Sequence, residues 1–272
     1  MYRFEFATPP KIKHVYHYQR FESGWIESLV NERRIRFSSP MAFNDPWDCK
    51  PCYNKSIVDN PVELERHVDA FVEAHRRHKP NISEEDRQAL RRKWLSDPDL
   101  VKSAIDVSAA ETAAVIDQRY KVYCVGTKPN CQLMWAHYGA SHSGICLEFS
   151  TENEVFSGAI KVEYLEEFKP HDFLAGGGQN LLPLITKSSA WSYEGEYRLI
   201  AEENRLALAE GTLRTADNFF TIPENALTTI IMGARITPEN RSWLERFIGQ
   251  SDARVALKVA RTIPDKYELA IS

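Results

Sequence analysis

The period of the hydrophobic pattern changes along this chain, and that change limits the possible folds more than any other feature. From residue 120 onward, short apolar runs recur between turn residues, at 120–125, 144–149, 159–164, 196–201, 218–222, 226–232 and 255–260. Their length and β-branched content predict strands. Residues 61–119 read differently. Charged and small residues dominate there, apolar positions fall at helical spacing, and Pro80 and Pro98 divide the stretch into about three helices. Ser83-Glu-Glu-Asp86 opens one of them with a capping-box-like pattern. Ahead of this region, 14–20 predicts a strand, 21–34 a short amphipathic helix through Phe21, Trp25, Ile26, Leu29 and Val30, and 35–38 a second strand. A late amphipathic helix is expected over 239–248. The sum is an α+β fold with a mainly antiparallel mixed sheet and flanking helices. It is read as a single domain over 1–272 with a helical insertion at about 61–119.

Composition narrows the function classes. With 272 residues and 43 % hydrophobic content, a substantial core can form. The net charge of −4 supplies no global basic field, so there is no strong nucleic-acid signal. No run of 18 apolar residues predicts a membrane span, and MYRFEFATPP lacks the apolar stretch of a signal peptide. Five cysteines, an odd and sparse set, predict reduced thiols and a cytoplasmic location. Cys49-Lys-Pro-Cys52 is a lone CxxC. A zinc site would need two more ligands, for which Cys124 and Cys131 are available, but no second tight pair accompanies it, and no metal is expected. Ala175-Gly-Gly-Gly178 reads as a flexible loop, because the Lys-Ser/Thr of a phosphate loop does not follow.

Three stretches carry the chemistry. The loop Phe43-Asn-Asp-Pro-Trp-Asp48 holds Asn44 and Asp45, ordinary turn formers, and Asp48 beyond the turn. Residues 134–149, MWAHYGASHSGICLEF, bring Trp135, His137, Tyr138 and His142 to the start of a strand. The two histidines are five apart, not the four of a zinc-binding helix, so this reads as a ligand-lined loop. The third runs from Lys187 through WSYEGEYRLI at 191–200. If it is a strand, a period of two puts Glu194, Glu196 and Arg198 on one face. The alternative is an edge strand with a solvated face on which Arg198 simply pairs with Glu196.

In this order, FNDPWD, MWAHYGASHSGICLEF and K-x3-W-x-YEGEYRL resemble the DUF2971 family of bacterial proteins, and Thr229-Ile-Ile-Met-Gly-Ala-Arg-Ile-Thr237 is similar to a late segment of that family. A family of unknown function implies no reaction. The layout is also similar, more weakly, to ADP-ribosyltransferase-like folds, which begin with a strand bearing His, Tyr or Arg and place a catalytic Glu on a late strand, often as Glu-x-Glu. That resemblance implies an NAD-consuming enzyme. Glu196 would stabilise an oxocarbenium-like state, with Glu194 orienting or deprotonating an acceptor. It further implies His17 or Tyr18 at the ribose or adenylate side, Tyr138 or Trp135 stacked on nicotinamide, and Arg198 or Lys187 at the pyrophosphate. His137, Asn44, Asp45, Asp48 and His142 would complete the cleft. The partner would be a nucleotide, with the acceptor macromolecule unspecified.

Two other readings stand beside it. Asp45, Asp48, His137, His142 and Glu196 could converge on a divalent metal in a hydrolase or nuclease. The chain could instead be a non-enzymatic ligand- or partner-binding module of a defence or toxin–antitoxin system, with 61–119 as its interaction surface.

Overall fold

The computed structural model describes residues 4–171, 174, 178–204 and 212–272. Of the expected flexible loop at 175–178, residues 175–177 lie outside them, and Gly178 begins a 3-10 helix. The fold is α+β. In chain order it runs β1 (His14–Gln19), α1 (Ser23–Glu32), β2 (Arg34–Arg36), α2 (Pro61–His78), α3 (Glu84–Ser96), α4 (Pro98–Arg119), β3 (Tyr120–Val125), α5 (Gln132–His137) and β4 (Ile145–Ser150). It continues with β5 (Ile160–Lys161), β6 (Glu163–Leu165), β7 (Thr186–Ser188), β8 (Tyr197–Glu203), β9 (Leu213–Thr215), β10 (Phe219–Thr221), β11 (Leu227–Met232), α6 (Pro238–Gln250), β12 (Ala256–Thr262) and β13 (Leu269–Ile271).

Local chemistry accounts for the helix boundaries. Asn60 caps α2 by accepting from the amides of Val62 and Glu63, and Pro61 follows at the first helical position, where its missing N–H costs nothing. Ser83 caps α3 through the amide of Asp86, Asp97 caps α4 through Leu100, and Thr237 caps α6 through Asn240. Pro98 and Pro238 again sit just inside their helices. α2 to α4 gather a small core of their own around Val68, Phe71, Val101 and Ile105.

The strands form two principal sheets. One has the order β1-β4-β11-β12-β13, antiparallel except for the parallel β11–β12 pair. The other has the order β3-β8-β5, with β9 added to β8 in parallel. The two meet where the backbones of Tyr16 and Gly126 exchange both hydrogen bonds, 2.9 and 2.7 Å. The main core fills the space between them with Val15, Phe37, Tyr123, Phe149, Phe156, Leu199 and Ile230.

Three expectations need correction. The single run at 159–164 is broken, because Val162 turns inward between β5 and β6 and its amide bonds to Glu196. The start of the stretch expected as a ligand-lined loop is not loop: 132–137 is a helical turn and a half that buries Met134 and Trp135, and the chain enters β4 only at Ile145. Most consequentially, 189–194 is a 3-10 helix, and β8 begins only at Tyr197. Gly195 joins the two at φ +52°, in the left-handed region that glycine occupies without steric cost. Glu194 and Glu196 are therefore not stacked on one strand face. β8 is also not an edge, since β3 and β5 flank it, and its Arg198 and Glu202 side chains are buried rather than solvated.

Candidate functional site

A cleft of about 600 Å³ opens between the two sheets. That volume lies within the usual range of small-molecule sites. The cleft joins segments far apart in the chain: β1 (His17, Tyr18), the loop after β2 (Asn44, Asp48), α5 and its end (His137, Tyr138), β7 (Lys187), and the 3-10 helix with the residues after it (Glu194, Glu196). His137 and Glu196 line the same cavity, as a single site requires.

Its floor is a buried charge cluster. Arg198 is fully buried and donates from Nη1 and Nη2 to the two oxygens of Asp48, at 3.0 and 2.7 Å. The same guanidinium donates from Nε to Glu196 at 2.7 Å and from Nη1 to the Leu184 carbonyl at 2.9 Å. A planar fork suits two carboxylates at once, which a lysine could not match. Lys187 Nζ sits among three carboxylates, 2.6 Å from Glu194, 3.2 Å from Glu196 and 3.7 Å from Asp48. The Tyr138 hydroxyl donates to the other oxygen of Glu194 at 2.7 Å. When all five groups are ionised, three carboxylates face two cations, which leaves one negative charge in excess against the cleft wall.

The two glutamates behave differently. Burial works to raise the Glu196 carboxyl, but Arg198 and Lys187 outweigh it and hold the group at about 2. The Glu194 carboxyl is raised, first by burial and then by the neighbouring Glu196 charge, against the pull of Lys187 and Tyr138. Glu196 is thus a satisfied structural anion, and its amide also donates to the Tyr164 hydroxyl at 2.9 Å. Both glutamates line the cavity, but Glu194 is the carboxylate whose proton affinity is raised rather than lowered, a property that acid–base groups share.

On the β1 wall, His17 stacks on Tyr123 with ring centroids 4.3 Å apart. Its Nδ1 lies 2.8 Å from the Cys124 carbonyl, which makes it the protonated nitrogen and leaves Nε2 as an acceptor. Burial lowers this imidazole to about 4, so the ring is neutral. The Tyr18 hydroxyl donates to the Lys128 carbonyl at 2.6 Å. Asn44 lies beside the Tyr138 hydroxyl. His137 is exposed at the rim, its ring 5.9 Å from that of Trp191.

Four expected site residues do not line the cavity. Arg198 stands behind it, spent on Asp48 and Glu196. Trp135 is fully buried, its indole N–H bonded to the Pro129 carbonyl at 2.9 Å. His142 stacks on Trp135 on the far side. Asp45 folds back onto its own loop, accepting from the Trp47 amide at 2.9 Å. Among the described residues, no group of three or more His, Cys, Asp or Glu is arranged to hold a metal ion. Of the acids in the metal reading, Asp48 and Glu196 face Lys187 instead, whose ammonium lies between them and Glu194. Buried Cys49 has its thiol pushed up by burial, beside Asp48 and against Arg198, so it is no reactive nucleophile.

Sequence reasoning missed Tyr16, Arg34 and Arg36, which also line the cleft. The Arg-Ile-Arg alternation of β2 was the available signal, because a period of two puts both guanidinium groups on one side.

A family model described as "Protein of unknown function (DUF2971)" matches residues 134–199. That stretch carries most of α5, with Tyr138, Lys187, Glu194, Glu196 and Arg198, and so contributes most of the acidic floor. No curated protein and no solved structure matches the chain.

Proposed function

We propose that the chain is an NAD-consuming enzyme of the ADP-ribosyltransferase type, with Glu194 as the carboxylate that faces the reacting carbon. The supporting observation is the buried cluster of three carboxylates and two cations, opening onto a ligand-sized cleft at Glu194. NAD carries a positive pyridinium, and breaking its bond to ribose moves that charge onto the sugar. A fixed carboxylate in a partly dry cavity stabilises such a state without reorganising. Tyr138 and Lys187 hold the Glu194 side chain in place, one donor on each oxygen. Neutral His17 offers an acceptor nitrogen to a ribose hydroxyl. The bond broken is the one in NAD between C1′ of the nicotinamide ribose and the pyridinium nitrogen. Nicotinamide leaves with the electron pair, and an acceptor nucleophile bonds to C1′ after losing its proton to Glu194 or to solvent.

The test is release of nicotinamide from NAD by the purified protein, with and without lysate as a source of acceptor. Release that Glu194→Gln abolishes, at unchanged folded fraction, supports the reading. If no nicotinamide is released under either condition, the reading fails. Nucleotide hydrolysis that EDTA suppresses would move the assignment to the metal-dependent class.

A further inference from the structure

The cleft has a second, oppositely charged end. Arg34 and Arg36 both line it from β2, and Phe219 of β10, the register partner of Arg36, lines it beside them. The Arg34 guanidinium lies over the Phe219 ring, 4.2 Å from its centroid, with one ion pair to Glu32 at 3.1 Å. Arg36 is exposed, and among the described residues it has neither a hydrogen-bond nor an ion-pair partner. Ser28 adds a hydroxyl to this end, and Trp25, 38 % exposed, adds an aromatic face. The arginines are therefore unlike Arg198 and Lys187. Those two are committed to buried carboxylates, whereas Arg34 and Arg36 present donors to the cavity and are matched only by the single carboxylate of Glu32.

We infer that Arg34 and Arg36 form an anion subsite that takes the diphosphate of a nucleotide, with Trp25 and Phe219 as the apolar surface beside it. Two guanidinium groups on one strand face, each able to give two parallel N–H donors, fit neighbouring phosphates. The cleft then has a polarity of its own, acidic at Glu194 and basic at β2, which matches a ligand cationic at one end and anionic in its middle. This subsite deepens the NAD reading by naming what holds the pyrophosphate. The sequence-based expectation gave that task to Arg198 or Lys187, and their burial in the charge cluster moves it to β2.

Calorimetric titration with ADP and with adenosine tests the subsite without any turnover. The wild type is expected to bind ADP about tenfold or more tightly than adenosine, a preference that weakens with added salt. Arg34→Gln/Arg36→Gln should bring the two affinities together. Both side chains are solvent-accessible, so the urea midpoint should hold, and Arg36→Lys, which keeps the charge, should retain part of the preference. Equal affinities in the wild type, no ADP binding, or a preference unchanged in the double variant would each overturn the subsite. A phosphate preference without nicotinamide release keeps the subsite and removes the NAD reaction. Nicotinamide release indifferent to both arginines does the reverse.

Discussion

Glu194 and Glu196 stand two residues apart, yet the same substitution is expected to affect them in different ways. Glu196 accepts from Arg198 Nε at 2.7 Å and Nη2 at 3.2 Å, and from Lys187 at 3.2 Å. Glutamine in its place keeps one acceptor oxygen but turns an NH2 toward groups that can only donate. The folded protein holds this carboxyl at about 2 against an ordinary 4.5, because Arg198 and Lys187 overcome its burial. At ~1.4 kcal/mol per pH unit the displacement corresponds to about 3 kcal/mol in favour of the folded, ionised state. Since the folded value is the lower one, this contribution is complete above the unfolded pKa. It drains away as pH falls from 4.5 toward 2. Glu196→Gln should therefore cost about 3 kcal/mol at pH 7 and flatten the acid limb of stability over that window. Glu194 has the opposite sign. Its raised carboxyl penalises the charged form in the folded state, so Glu194→Gln should change stability by no more than about 1 kcal/mol. Urea unfolding at pH 7 and pH 3, with the slope checked for constancy, reads both effects. An unchanged urea midpoint in Glu196→Gln at pH 7 would refute the reasoning, because the Arg198 cluster would then not depend on that charge.

Other consequences follow from the same geometry. Arg198→Met leaves Asp48 and Glu196 buried without their shared cation and should cost about 3–5 kcal/mol. A double-mutant cycle with Asp48→Asn should recover a coupling of about 1 kcal/mol or more. Tyr138→Phe removes a donor that lowers the Glu194 carboxyl, so the acidic limb of the pH–activity profile should move to higher pH with the basic limb in place. Gly233→Ala should unfold the chain or lower its urea midpoint sharply, because a Cβ there overlaps the His142 carbonyl oxygen, a backbone atom that cannot step aside. Gly158→Ala, where a Cβ meets open space, is the matching control.

Much of the fold was legible from the period of the hydrophobic pattern. Proline and cap residues marked the starts of α3 and α4 because a cap satisfies amides locally, within a few residues of chain, whereas α2 and α6 were read from helical spacing. The strands at 120–125 and 226–232 could be read because they bury nearly continuous apolar runs. Glu194 and Glu196 were placed on one strand face because Tyr-Glu-Gly-Glu-Tyr-Arg alternates like a strand, while the turn between them depends on Gly195 adopting a left-handed φ. The convergence of Asp48, Tyr138, Lys187 and Glu194 on one cleft was expected from the three motifs, while His17 was expected there only from the weaker resemblance. Their division of labour did not follow. Whether a glutamate is a saturated anion or a reactive one depends on Arg198 reaching Asp48, 150 positions away, and no local pattern records that pairing. Trp135 and His142 were assigned to the cavity because they neighbour Tyr138 in sequence, but three successive left-handed residues, Ala140 to His142, fold His142 back over the indole instead.

The account rests on one ligand spanning both ends of the cleft, with its cationic end at Glu194. The most direct measurement is a crystal structure of the Glu194→Gln variant soaked in NAD, so that the bound nucleotide is not consumed. The account predicts the nicotinamide ribose in contact with the side chain at 194, beside Tyr138 and Lys187, and the two phosphates within hydrogen-bonding reach of Arg34 and Arg36. NAD bound with its phosphates at the acidic floor, bound elsewhere on the surface, or not bound at saturating concentration would contradict it.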